Sequence, residues 1–179
     1  MADLSGPRRW RLRALFILLA GLIYFVHLLP LRTGPGGWPA PDFVALIGFV
    51  WVLRRSTVMP IWLFAAMVLL GDFLLMRPLG LWTAVAVLGL EFLRTREPTS
   101  RDMPLPVEWA MVAGVLALMY AAQALALAVF VADQPRFSLT AAQFILTVLA
   151  YPLVVLATRH GLGLRKALRP QSGALGVWT

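Results

Sequence analysis

The chain has 179 residues, 60% of them hydrophobic and 13% charged, with a net charge of +8 and no cysteine. Its mean hydropathy is +0.81. Soluble domains are about half apolar and about a quarter charged, so this composition excludes a water-facing globule. The missing cysteines exclude disulfides and thiolate metal sites, and the lack of short segments of alternating polarity excludes a membrane barrel.

Apolar runs of near-spanning length recur along nearly the whole chain, which predicts an all-α polytopic membrane bundle of six transmembrane helices. A basic segment, 1–13, carries Arg8, Arg9, Arg11 and Arg13 ahead of the first span, Ala14–Leu31. That span is longer than a signal-peptide core and lacks a small-x-small cleavage site, so it is expected to be retained. The second span, Trp38–Leu53, is fully apolar only over Phe43–Leu53. Either Trp38–Asp42 completes it at the interface or it dips without crossing.

Pro60 stands where a helix start tolerates proline, ahead of the third span, Ile61–Met76. The tight Arg77–Pro78 turn joins that span to the fourth, Leu79–Leu93, as a helical hairpin. The fifth and sixth are Val107–Ala132 and Leu139–Thr158, the latter expected to kink at Pro152. The membrane domain is thus 14–158, followed by a basic tail, 159–179. The connections are short and dense in Pro, Gly and charge, leaving no room for a second soluble domain.

Basic residues fall into alternate gaps. Besides the four arginines at the start, Arg54 and Arg55, then Arg94, Arg96 and Arg101, then Arg159, Arg165, Lys166 and Arg169 share one side. Thirteen of the sixteen are on that side, leaving Arg32, Arg77 and Arg136 on the other. The positive-inside rule makes both termini cytoplasmic. Anionic lipids should gather there, at about 1 kcal/mol per charge near the surface. This accounts for the net charge without nucleic acid.

Within the fifth span, Ala110, Ala113, Ala117, Ala121, Ala124 and Ala128 recur at helical spacing and form one small-residue face. In lipid such a face lets another backbone approach closely. It fits packing against the chain's own helices or against a partner's helix.

Polar residues inside the spans are sparse. Counting about 1.5 Å per residue from span midpoints, Asp72, Thr83 and Gln123 lie roughly 5 Å outward of the midplane. By the same rise His27 and Gln143 lie roughly 7 Å outward. Five side chains from five spans thus share one outer layer. It fits a cavity open to the outside, for a solute or a headgroup, or a hydrogen-bonded network that fixes helix register. Arg77 is too far round the helix for an i,i+4 pair with Asp72, so His27, or else Gln123, is the expected partner.

Glu91 is expected to pair with Arg94 and Arg96, and His160 to meet headgroups. The "GLGL" at 161–164 lacks the context of a dinucleotide motif. No Ser–His–Asp order, no two acids at one depth and no metal-spaced histidines stand out. The chain reads as non-enzymatic, without a cofactor.

Pro41-Asp42 at the second span, Gly71-Asp72 in the third and Pro78-Leu79-Gly80-Leu81 opening the fourth resemble the rod shape-determining MreD family. Chain size, six spans and cytoplasmic termini fit as well, so the resemblance covers most of the chain. It departs at "LLMRPLG", where Met76 and Arg77 replace the small residues that often precede the proline. The resemblance implies a scaffold of the cell-elongation machinery in a bacterial inner membrane, active in peptidoglycan synthesis. Its implied partners are MreC, RodA with its penicillin-binding partner, and MreB filaments on the cytoplasmic side. The family is similar in fold to transporter S-components, so the alternative is a small-solute or lipid-headgroup binder.

Overall fold

The computed structural model describes residues 6–29, 39–100, 103–130 and 136–161, with the side chains of the last range to His160. Arg32, Trp38, Arg101, Arg165, Lys166 and Arg169 lie outside these residues, as do 162–164 of the glycine run. Six helices make up the fold: α1 Gly6–Leu28, α2 Phe43–Arg54, α3 Ile61–Leu74, α4 Leu81–Ser100, α5 Leu105–Val129 and α6 Phe137–Gly161. Each expected span therefore contains a helix. Three stretches, Gly6–Leu28, Leu105–Val129 and Phe137–His160, are long and apolar enough to cross a membrane.

The other three depart from the expected spans for physical reasons. α2 has 12 residues and α3 has 14, which at about 1.5 Å per residue gives roughly 18 and 21 Å. Asp42 caps α2 with its side chain, so residues 39–42 approach it as non-helical chain. α4 has 20 residues, but Glu91, Arg94, Arg96 and Glu97 fill its second half. It starts two residues later than expected and runs on through Pro98. The basic residues of 1–13 that are described lie within α1, which starts at Gly6. Pro152 is contained inside α6.

Short α2 is the hub. It packs on α1, α3, α4 and α6, while α1–α3–α4–α5–α6 follow one another around it. Nine of its twelve residues are buried, because "FVALIGFVWVLR" is apolar on every side and suits only an interior helix. Its non-helical flank at 39–42 is half-buried against the other helices, where irregular backbone is better tolerated than in open lipid.

The outer helices bury only one stripe each. In α1 the stripe is Leu12, Phe16, Ala20 and Tyr24, one residue per turn. Outside it, Leu18, Leu22, Phe25, Leu88, Leu118, Leu125 and Leu153 are exposed. An exterior this rich in leucine suits hydrocarbon rather than water.

One close approach fixes α1 against α3. A Cβ added at Gly71 would collide with the Tyr24 hydroxyl, which donates to the Met67 carbonyl at 2.9 Å. Gly71→Ala should therefore cost about 2 kcal/mol by overpacking and loss of that hydrogen bond. SDS-titration unfolding of the purified protein checks it, and Tyr24→Phe in the same background should recover part of the loss.

At the opposite end of the bundle, arginines hold the α2–α3 connection. Arg13 donates to the Thr57 and Val58 carbonyls, both at 3.3 Å. Arg94 donates to the Met59 carbonyl at 2.7 Å. Arg94 Nε also lies 2.9 Å from Glu91, as expected, although the angle there is outside hydrogen-bond geometry. Arg96 instead sits over the Phe92 ring.

Candidate functional site

The α3–α4 turn is built by its own backbone. Arg77 N–H donates to the Asp72 carbonyl at 3.0 Å and Met76 N–H to the Phe73 carbonyl at 3.4 Å. This is the Schellman pattern, which needs a left-handed residue after the helix. Met76 takes that place with φ of 52°, where glycine is the usual choice. Its side chain is almost fully exposed. Met76→Gly should raise stability by about 1 kcal/mol, since the left-handed penalty disappears and so exposed a side chain adds little packing. SDS titration reads this as a midpoint shifted to higher detergent.

Gly80, at φ of 81°, then turns the chain into α4. Its N–H donates to Asp72 Oδ2 at 3.2 Å. The Thr83 N–H and Thr83 hydroxyl donate to the same oxygen at 3.1 and 2.8 Å. Asp72, fully buried, thus caps the N-terminus of the next helix. It satisfies the N-cap and N3 donors that a capping box would satisfy from within the helix. Carboxylate charge is favourable at this point, next to the positive end of the α4 dipole.

Asp42 does the same for α2. Its Oδ1 accepts from Ala45 N–H at 3.1 Å. Its Oδ2 accepts from the Trp82 indole at 2.8 Å and from Arg77 at 3.5 Å. Asp42 N–H donates to the Thr147 hydroxyl at 3.1 Å, and Thr147 donates on to the Gln143 carbonyl. Gln143 donates from its side chain to the Ala40 carbonyl at 3.3 Å. Arg77 also stacks 5.8 Å from the Trp82 ring. Helices α2, α3, α4 and α6 are thus tied at one end, here called the aspartate end.

The expected polar layer is assembled only in part. Asp72 and Thr83 meet, and Gln143 joins through Asp42 and Thr147. His27 does not reach Asp72: it is exposed and contacts the Ile23 carbonyl of its own helix. Gln123 is half-buried on α5 and makes no hydrogen bond among the described residues. Two acids that the span reading placed at separate depths, Asp42 and Asp72, instead flank one turn. Tyr24, Trp82 and Thr147 carry no flag in the linear sequence, because tyrosine, tryptophan and threonine are ordinary within apolar helices.

The enclosed space bounded by Asp42, Arg77 and Trp82 is about 20 Å³, which is room for about one water. A space of that size admits no solute larger than water. Among the described residues no group of three His, Asp or Glu is placed to hold a metal.

A second polar unit lies toward the arginine end. Glu108, fully buried, accepts from Arg54 at 3.2 Å and from the Tyr151 hydroxyl at 2.6 Å. It locks α2, α5 and α6 together. Arg54 reads as a loop charge in sequence, and a lone acid in the first turn of α5 was the only sign of its partner.

The alanine face of α5 points outward. Ala110, Ala117, Ala121, Ala124 and Ala128 are exposed and Ala113 is half-buried. The inward face is Glu108, Val112, Val115, Leu116, Met119, Tyr120 and Leu127. Of the two uses open to this face, packing inside the chain is not the one adopted. No family model, no curated protein and no solved structure matches this chain.

Proposed function

We propose that the protein is a non-enzymatic, multi-pass scaffold of the bacterial inner membrane, serving the cell-elongation machinery in the manner of MreD. One observation carries this reading. At the aspartate end, Asp42 and Gly71 border one small space with Arg77 and Trp82, and Asp72 caps the adjoining turn through Gly80, so residues from all three stretches that resemble that family meet in one region.

All six helices cross in this reading, with both termini in the cytoplasm and the aspartate end outside. The outward alanine face of α5 gives a bitopic partner of the MreC kind a surface for close backbone approach. RodA and its penicillin-binding partner join through the same assembly, and MreB filaments meet the arginine end.

Tagged protein extracted from its native membrane should bring down a bitopic partner. Ala110→Leu and Ala128→Leu should each lower that capture about tenfold while leaving the fold intact, since both sites are exposed and only a close contact notices the added carbons. Full capture by both variants would remove the partner from this face. Reporter fusions after Arg55 and near Gly37 must also report opposite sides of the membrane for the six-crossing topology to stand.

A further inference from the structure

Beyond that reading, we infer that the outer half of the α5–α6 seam is a binding cleft for one phospholipid, with an acyl chain between the helices and the phosphodiester at Arg77. Two adjoining spaces form it. The first, of about 380 Å³, is apolar and lies between Ala117, Ala121 and Ala124 of α5 and Phe137, Ala141 and Phe144 of α6. The second, of about 260 Å³, opens at the aspartate end against Arg77, Trp82 and Gln143. They share the walls Tyr120, Gln123, Leu127 and Thr140.

Its length selects the occupant. From Ala117 to Leu127 the rise is about 15 Å, half of the roughly 30 Å hydrocarbon core. A partner's transmembrane helix would need contact along the full thickness, and Ala110 and Ala113 do not line the cleft. An acyl chain of one leaflet fits the observed half.

Polar groups along its walls are poorly satisfied. Gln123 faces this seam with no hydrogen bond among the described residues. The Tyr120 hydroxyl, on a side chain 8% exposed, has only Thr147 as a neighbouring partner, outside good hydrogen-bond geometry. An amide left bare toward hydrocarbon is unfavourable, since lipid tails offer no hydrogen bonds. The ester carbonyls of a phospholipid, next below its phosphate, would accept from the Gln123 amide. Arg77 uses one long contact, 3.5 Å, on Asp42, and a guanidinium has five donors in a fork that fits phosphate. Asp42 lies nearby and opposes negative charge, so the cleft recognises the phosphodiester and does not require a net-anionic headgroup.

The test is lipid retention by the detergent-purified, delipidated full chain in native mass spectrometry. The probes are phosphatidylglycerol, phosphatidylethanolamine and diacylglycerol with the same acyl chains. One copy of either phospholipid should be retained about tenfold better than diacylglycerol, the value of one charge-assisted hydrogen-bonding group. Arg77→Gln should lower phospholipid retention about tenfold by the same loss. Because Arg77→Gln also breaks a native ion pair, Ala121→Trp tests the cleft from its exposed wall and should displace the lipid without touching the joint. Leu153→Trp, on an exposed part of α6 outside the cleft, should change nothing. Equal retention of diacylglycerol overturns the proposal, as does unchanged phospholipid retention in Ala121→Trp. Loss of a captured bitopic partner from Ala121→Trp with phospholipid retention intact would assign the cleft to a helix instead.

Discussion

Asp72→Leu is expected to cost about 3 kcal/mol, the combined value of a helix cap and hydrogen bonds to a charged acceptor in a buried site. Three donors, the Gly80 and Thr83 N–H groups and the Thr83 hydroxyl, converge on one oxygen. Leucine leaves all three half-buried donors without this acceptor, and hydrocarbon cannot replace it. The start of α4 should fray, and the α3–α4 hairpin with it. Asp72→Asn keeps an acceptor of the same size and gives up only the charge facing the helix dipole, about 1 kcal/mol. SDS-titration unfolding and the yield of monodisperse protein should therefore rank wild type, asparagine, leucine. Equal damage from both substitutions would mean that the charge itself, and not the cap, is what the residue contributes. Thr83→Val gives an independent check: it removes one of the three donors and should fall between wild type and leucine.

Glu108→Ala should be at least as damaging, about 3–5 kcal/mol, because it strands an arginine that is mostly covered by protein. Arg54 and the Tyr151 hydroxyl both donate to one Glu108 oxygen, and the Glu108 side chain is fully buried. Arg54→Ala should also be destabilising, since it removes the positive charge paired with the buried acid, which keeps the Tyr151 hydroxyl. The double variant Arg54→Leu with Glu108→Leu should be far milder than the sum of the two single losses, since neither charge is left without its partner. Tyr151→Phe should cost only about 1 kcal/mol, one hydrogen bond to a charged group with the ring packing kept. Unfolding in SDS across this cycle measures the coupling. Strict additivity would show that the pair does not act as a unit.

The sequence by itself determined that helices occupy six places, since apolar runs and the Pro- and Gly-rich breaks between them are local signals. It also placed Pro60 at a helix start, the Glu91–Arg94 pair and the tight turn between α3 and α4. Helical spacing alone put the six alanines of α5 on one face. Which way that face points does not follow from the spacing, because a small-residue stripe packs equally well inside or outside. The tertiary structure decided it, by giving α5 the larger Val112, Leu116 and Met119 stripe to bury against α4 and α6.

The partner of Asp72 was likewise beyond the sequence. Depth estimates compare residues along straight spans, so they pointed to His27 on another helix and set Asp42 apart from Asp72. The chain turns sharply after Leu75 because Met76 adopts a left-handed conformation, and this brings the first turn of α4 back onto the end of α3. Asp72 then finds its donors only eight and eleven residues ahead. Arg54 and Glu108, 54 residues apart, meet only because α2 is packed at the centre of the bundle. Local pattern fixed the helices, whereas long-range packing chose the partner of each buried charge, because a charge in the interior takes whichever donor the fold delivers.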